Sequence, residues 1–551
     1  MFNSKWRIMR AFNKIIIILF IIILTATAFP ESWELVVFFN NDRHGGIAPG
    51  PATFINPETP PPLGKLPSEA ALINKFRAET QSRGHGFLLI DQGDTYQGAP
   101  VGSLTKGEAV VLAFNEIMPD AVIPGNHEFD DGTDNFRSLI QKSEFQWVAA
   151  NIIDVNTGKL FQGLEPYIIR EFPISPGQNI KIGIIGLTTY DTKTMSFPEN
   201  TADIEILDEL QTANTYAETL KAKGCDFIIV CAHIGLPFDP EIEYLKLQGK
   251  LPDADGESPY GGIGYIELAS KFRNIDVAFG GHIHLGYREP WEDPETHVLV
   301  FQNYAHGGNT GAIRFKFDPE TMIFLGYEPI AYDDALITLF SDDFWEDPDM
   351  KRFIDSLANE SENGLLEPVA KANGAIMRGD AAVNQAGHIM CDAMIMVTNA
   401  DVSITNMGGV RADFPAGTIT KKDVFTVMPF DNKIVAFELS GSVIKEVIEN
   451  LSKKYNGALV GGAKIVYDLS KSEGERIVEM KIGGESYRPD KIYTFATTDY
   501  IYYSYGIPQL QEVSPDNVRF TGILLRDAME KWMRDNSPIE PGADDRWLII
   551  Q

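Results

Sequence analysis

The sequence predicts a layered α/β domain over residues 31–334 and a smaller α+β domain over 366–551. Three observations carry that reading. From residue 31 to about residue 330, apolar strand-like runs alternate with amphipathic helical segments. Near Leu366 the pattern restarts with its own helices and strands. A chain of 551 residues with 44% hydrophobic content is long and apolar enough for two cores. Between the two domains, 335–365 reads as an acidic helical connector.

Taken in order, residues 1–30 have the form of a secretory signal peptide. Lys5, Arg7, Arg10 and Lys14 are basic, Ile15 to Leu24 is apolar, and Thr25 to Ala28 supplies small residues for cleavage. The apolar core is shorter than the roughly 20 residues of a spanning helix, and no cysteine follows it for lipid attachment. Export to a periplasm or the exterior is expected, with no stable membrane insertion after cleavage; an uncleaved N-terminal anchor is the alternative. Next, Pro49 to Pro67 reads as a surface loop. Ser68 is expected to cap a helix with Ala71, Leu72 and Phe76 on one face. A second helix is expected from about Ile206 to Lys223, ending at Gly224.

Apolar strands are expected at Leu35 to Phe39, Phe87 to Ile90, Ala121 to Ile123, Phe227 to Val230 and Val277 to Phe279. Each delivers metal-competent side chains at its carboxyl end: Asp42 and His44, Asp94, Asn126 to Asp130, His233, and His282 with His284. Sites in α/β sheets lie at the carboxyl ends of strands, so these clusters are expected to converge. In extended backbone, residues i and i+2 point the same way. Asp42 and His44 would then face one pocket, as would His282 and His284. Asp94 is a natural bridge between two cations. Asn126, His233 and His282 would complete one shell, and Asp42, His44 and His284 the other. A nitrogen and oxygen donor set without thiolate points to two divalent ions, Zn, Mn, Co or Fe. His85, His297, His306 and His388 have no aligned partners and read as ordinary core or surface groups.

Two cations ~3.5–4 Å apart can hold a phosphoryl oxygen and an attacking hydroxide, which suits phosphate-ester hydrolysis. His127 would protonate the leaving oxygen or stabilise the transition state, and Asp130, three residues on, would orient its imidazole. Lys+Arg 47 against Asp+Glu 77 gives a net charge of −30, which excludes a basic surface for polymeric nucleic acid. Cys225, Cys231 and Cys391 sit in apolar contexts and are expected as buried thiols.

In the smaller domain, helices are expected at Ala386 to Val397, Ser442 to Leu451 and Gly522 to Asp535. Val402 to Ile404 and Ile434 to Leu439 are expected as strands.

The ordered motifs Asn-Asp-x-His-Gly, Gly-Asp, Gly-Asn-His-Glu-Phe-Asp, His-x-Gly and Gly-Gly-His-x-His resemble the calcineurin-like metallophosphoesterases. More narrowly, they resemble the exported 5′-nucleotidase and UDP-sugar hydrolase family, whose members add a C-terminal substrate-binding domain. The resemblance covers nearly the whole mature chain and implies the same His127–Asp130 pairing. It places a substrate-binding arginine on Arg411, at the end of a glycine-rich loop with Asn406, Gly408 and Gly409. Base-stacking aromatics fall on Phe430 and Tyr500. The family's arginine before the Asn-x-Gly helix start is missing: Asp380 to Val383 stand there, with Arg378 out of register. The Gly-Gly-Asp-Gly loop after the second aromatic is replaced by Tyr502 to Gly506. The implied substrate is a small nucleotide, with a nucleoside 5′-monophosphate foremost. A 2′,3′-cyclic nucleotide, a nucleotide sugar, or nucleotide binding without turnover are the alternatives.

Overall fold

The structure is a computed structural model that describes residues 32–52, 54–56, 59–175, 177–251, 264–331, 334–453, 457–542 and 545–550. The expected signal segment, 1–30, lies outside these residues.

Two stacked sheets form the centre of the N-terminal domain. In the first, Trp33–Asn40 pairs in parallel with Gly86–Asp91, which pairs in parallel with Ala121–Val122. Asn309–Phe317 closes the other side of Trp33–Asn40 in antiparallel register. In the second, Gln178–Leu187, Phe227–Ala232, Val277–Gly280 and Leu299–Gln302 run parallel to one another.

Strand alternation explains the layering. Leu35, Val37 and Phe39 point into the core between the sheets, where they join Phe227, Ile229, Cys231 and Phe279 of the second sheet. Val36 and Phe38 point outward, under the helices Lys65–Ser82, Glu108–Ile117 and Gly132–Lys142. Ile228, Val230 and Ala232 point to the opposite outer face, under Glu209–Ala222. Strands covered on both faces read as continuous apolar runs. The result is a helix–sheet–sheet–helix stack, so the layered α/β expectation holds. All three cysteines are buried free thiols, with Cys231 in the inter-sheet core.

Four local expectations need correction. Ser68 is no cap: the helix starts at Lys65 behind Gly64, and the Ser68 hydroxyl donates to the Phe344 carbonyl at 2.5 Å. Its buried face is Leu66, Ala70 and Ile73, while Leu72 and Phe76 are only partly buried. The same early start, together with the pairing of Gly50–Pro51 with Pro62–Leu63, means that 49–67 is not all loop. The connector is only partly helical. Leu336–Thr338 is a strand on Asn309–Phe317, and the helix Pro348–Ser361, capped by the Asp347 side chain, buries Met350 and Ile354 in the N-terminal core. Finally, 519–524 is a strand and the last long helix spans Leu525–Asp535.

In the C-terminal domain a five-stranded sheet has the order Leu459–Gly461, Val402–Thr405, Ile492–Thr498, Lys433–Ser440, Arg519–Leu524. Helices Gln385–Thr398 and Leu525–Asp535 cover one face, and Gly441–Ser452 lies in the core on the other. Among the described residues, no helix is long and apolar enough to cross a membrane.

Candidate metal centre between the domains

The five strand ends do converge, but from two sheets. Asp42, His44, Asp94 and Asn126 follow strands of the first sheet, and His233, His282 and His284 follow strands of the second. The i, i+2 argument for the paired ligands does not hold. Asp42, His44, Asp94, His282 and His284 all have positive φ, between 49° and 77°. These are left-handed turn positions, sparsely populated by non-glycine residues and held only where surrounding structure enforces them. The turns, rather than strand alternation, aim the side chains inward. Gly125 is required where two of these loops meet: a Cβ there would lie 2.2 Å from Asp94 Oδ1.

Asp42, His44 and His284 form one donor group, and Asp94, His233 and His282 another. His44 Nε2 lies 2.8 Å from His284 Nε2, and His284 Nε2 lies 3.6 Å from Asp42 Oδ1. In the second group, His233 Nε2 is 3.0 Å from Asp94 Oδ2, and Asn126 Oδ1 is 3.0 Å from His282 Nδ1. Asp94 sits between the groups, its Oδ2 4.0 Å from His44 Nε2.

These residues fit divalent cations for two reasons. His44 Nδ1 faces the Gln97 carbonyl at 2.6 Å, and His233 Nδ1 faces the Gln92 carbonyl at 2.7 Å. A carbonyl only accepts, so each Nδ1 carries a proton and each Nε2 is the nitrogen turned inward, where a cation would take the place of a proton, the arrangement of metal-ligating histidines. Burial lowers the His233 imidazole, but the Asp94 carboxylate prevails and raises it to about 10. In addition, two carboxylates share a fully buried site. Burial pushes Asp42 up to about 7 despite His233 beside it. Burial also opposes the charge on Asp94, but the His233 and His127 imidazoles outweigh it and hold that carboxyl well below the usual range.

His127 Nδ1 is 2.6 Å from Asp130 Oδ2, so the predicted pair is formed. Burial lowers the imidazole, but the Asp130 and Asp94 carboxylates prevail and raise it to about 9.

The C-terminal domain reaches this centre directly. Arg411 Nη2 is 3.3 Å from His44 Nε2, and its guanidinium lies 5.7 Å from the Phe430 ring centroid. Phe430 in turn stacks on His127, with centroids 6.0 Å apart and planes at 29°. Tyr500 meets Phe197 of the N-terminal domain edge to face at 6.2 Å. A cavity of about 530 Å³ is lined from one side by Asp94, Asn126, His127, Asp130, His282 and His284. From the other side it is lined by Asn406, Gly408, Gly409, Arg411, Phe430 and Tyr500.

Sequence reasoning missed several supporting groups. Glu128 is fully buried and accepts from Gly125 N (2.6 Å), Asp94 N (3.0 Å), Thr95 N (2.8 Å) and Thr95 Oγ1 (2.8 Å). It thereby ties the loop of Asp94 to the loop of Asn126. Arg43, between two ligands, is buried against Glu69 (2.7 Å) and Asp91 (2.8 Å). Arg43 stands between Asp42 and His44 in the chain and Glu128 two residues after Asn126, and that proximity is the signal the sequence offers. His306 belongs to the site and is no ordinary surface group. Its ring packs 5.4 Å from His44 and 5.5 Å from His284, and its N–H donates to the Asp42 carbonyl. Tyr505, in the stretch that replaces the glycine loop, packs edge to face on Tyr500 at 6.1 Å. Arg378 does not line the cavity; its guanidinium donates to the Arg411 carbonyl at 3.1 Å.

Residues 43–286 match the calcineurin-like phosphoesterase family, and residues 367–508 match the 5′-nucleotidase C-terminal domain. The chain is 26% identical over 540 residues to the protein UshA of Salmonella pullorum, covering 93% of each. It is 25% identical to the 5′-nucleotidase of Vibrio parahaemolyticus, covering 92% of this chain and 90% of that one. In fold it is similar to a 5′-nucleotidase precursor from Thermus thermophilus, with a TM-score of 0.79 and 24% identity over 94% of this chain and all of the other. With its paired histidine and aspartate clusters, the chain belongs to the 5′-nucleotidase family of metal-dependent phosphoesterases, a calcineurin-like phosphoesterase domain followed by a 5′-nucleotidase C-terminal domain.

Proposed function

We propose that this enzyme hydrolyses nucleotide phosphate esters, foremost a nucleoside 5′-monophosphate to nucleoside and phosphate. The observation that carries this reading is the delivery of Arg411 and Phe430 onto the histidine and aspartate cluster: a guanidinium against His44 and an aromatic ring against His127. A cation beside the reacting phosphoryl group and an aromatic platform next to it together suit a nucleotide better than a bare phosphate ester.

Asp42, His44 and His284 would hold one divalent cation, and Asn126, His233 and His282 the other, with Asp94 offering an oxygen to each. Zn, Mn, Fe and Co all suit these donors. When bound, such a pair supplies Lewis-acid stabilisation of phosphoryl oxygens and an ionised nucleophile near neutral pH. The chain's own groups do the rest. Asp130 holds the Nδ1 proton of His127, which turns Nε2 toward the centre and readies it to give a proton to the leaving oxygen. Arg411 neutralises charge on the phosphoryl group with a planar fork. Phe430 and Tyr500 offer the base their faces, and Asn406, Gly408 and Gly409 shape the loop beneath. The domain limits 31–334 and 366–551, and export by residues 1–30, are part of the same reading and rest on the sequence.

The test is phosphate release by Mn- or Co-loaded protein lacking residues 1–30, across nucleoside monophosphates, cyclic nucleotides, nucleotide sugars and aryl phosphates. Preference for monophosphates, lost in Phe430→Ala and Arg411→Ala, is the expected result. Hydrolysis of aryl phosphates or diesters alone, indifferent to both changes, overturns the substrate assignment. Nucleotide binding with no chelator-sensitive turnover of any ester would make the protein a binder.

A further inference from the structure

Phe430 stands in a stretch, 428–432, that belongs neither to the helix Lys421–Val427 before it nor to the strand Lys433–Ser440 after it. A ring carried on irregular backbone keeps one position only if other elements hold that backbone. Here the main chain is held from outside, carbonyl by carbonyl. Arg526, the second residue of the helix Leu525–Asp535, donates from Nη1 to Met428 O at 3.2 Å and to Phe430 O at 3.3 Å. Its Nη2 donates to Asp431 Oδ1 at 2.6 Å. The Leu525 N–H donates to Asn432 O at 2.9 Å. From the N-terminal domain, Gln97 Nε2 donates to Pro429 O at 3.4 Å.

The residue type suits this task. The Arg526 side chain is 12% exposed, and its guanidinium lies 4.3 Å from the centroid of the buried Phe425 ring, which keeps the planar fork in one orientation. Met428 closes the helix Lys421–Val427, and a cation that bonds a carbonyl at a helix's carboxyl end is favoured by the dipole there. The ion pair with Asp431 is the lesser part, because that carboxylate is 79% exposed and water screens it. The two carbonyl bonds are the greater part, since they straddle Pro429 and fix the backbone from which the Phe430 ring reaches His127 and Arg411.

We propose that Arg526 is a positioning residue for nucleotide recognition, which acts through Phe430 by fixing the platform on which the base stacks and takes no part at the phosphoryl centre. The proposal rests on the nucleotidase reading of the site and adds to it a residue outside the family motifs.

The experiment compares wild type, Arg526→Gln and Arg526→Lys, each Mn- or Co-loaded. Kinetics give kcat and KM for adenosine 5′-monophosphate, the inhibition constant of adenosine, and kcat/KM for glycerol 2-phosphate, which has no ring to stack. Hydrogen exchange reads the backbone over 428–432. In Arg526→Gln, KM and the adenosine inhibition constant are expected to rise about tenfold, the scale of one lost base–aromatic stack, with kcat and glycerol 2-phosphate turnover within about twofold. Exchange is expected to quicken over 428–432 and to stay unchanged elsewhere in the C-terminal domain. Arg526→Lys is expected to fall between, because an ammonium does not reproduce the fork. Weaker adenosine binding with unchanged exchange would mean that Arg526 touches the ligand itself, and overturns the positioning role. Equal loss for glycerol 2-phosphate, faster exchange throughout the domain, or no change at all overturns it as well. A wild type that turns over glycerol 2-phosphate but ignores adenosine and its monophosphate would refute the proposed function, while exchange over 428–432 would still decide whether Arg526 holds Phe430.

Discussion

Glu128→Gln is the substitution that most directly tests how this centre is held. The glutamate joins two loops through Oε2, which takes the Gly125 and Asp94 N–H groups, while Oε1 takes the Thr95 N–H and hydroxyl. Glutamine has almost the same shape but must turn an NH₂ toward one pair of donors. The amide settles on the Thr95 side, because only the Thr95 hydroxyl can rotate and accept. The Thr95 N–H is then orphaned in a buried site, at a cost of ~1–3 kcal/mol, and the two remaining bonds lose their charge assistance. A total of roughly 3 kcal/mol is about a hundredfold in the population of the paired-loop arrangement. Because those loops carry Asp94 and Asn126, the expected result is a loss of about 10–100-fold in metal affinity, in line with other outer-shell changes. Calorimetric titration of demetallated protein with Zn or Mn measures it, and an unchanged near-ultraviolet circular dichroism spectrum excludes global unfolding. Wild-type metal affinity in Glu128→Gln would refute the argument that this carboxylate sets the geometry of the two loops.

Three further outcomes are expected. His127→Ala should lower kcat by about 10²–10⁴-fold, the usual range for a general acid, with metal content unchanged, and Asp130→Asn should fall between it and the wild type. Glu69→Ala should destabilise the N-terminal domain by ~3–5 kcal/mol, because it strands the buried Arg43 guanidinium with Asp91 alone; chemical denaturation followed by the N-terminal tryptophans measures it. Burial pushes the Cys231 and Cys391 thiols up, out of the reactive range, so an aromatic disulfide reagent should label neither in the native protein and both after denaturation.

The convergence of the histidine and aspartate cluster is legible in the sequence because each member follows an apolar run, and a strand's carboxyl end is where an α/β layer places its site. Strand alternation does not account for their pairing. Asp42 with His44 and His282 with His284 converge through left-handed turns, and positive φ at a non-glycine residue leaves no mark in an isolated sequence. Glu128 and Arg43 went unassigned for a different reason. A buried carboxylate and a buried guanidinium look like surface charges until the fold shows backbone donors around one and two acids around the other. His306 is unmarked in the sequence because its neighbours in the chain, Ala305 and Gly307, carry no chemistry, whereas its neighbours in space, His44 and His284, lie more than 250 and just over 20 residues away.

The departures in the smaller domain have a common physical theme. Where the family resemblance calls for a flexible glycine loop, this chain has Tyr502 to Gly506, and Tyr505 packs edge to face on Tyr500. Phe197, from the other domain, packs on Tyr500 in the same manner. Tyr500 is thereby held by a ring from each domain, with Phe430 on the same cavity wall. An aromatic held in this way loses less side-chain entropy when a base stacks on it than one carried on a glycine-rich loop. It also adjusts less to bases of different size. The arginine that the family resemblance expects at 380–383 is absent, and Arg378, bonded to the Arg411 carbonyl, does not line the cavity. Under the proposed nucleotidase reading, base recognition would lean on rigid stacking, and phosphate recognition on Arg411 and the histidine and aspartate cluster. Discrimination among nucleotides should accordingly appear in KM for the base, more than in the rate of the phosphoryl step.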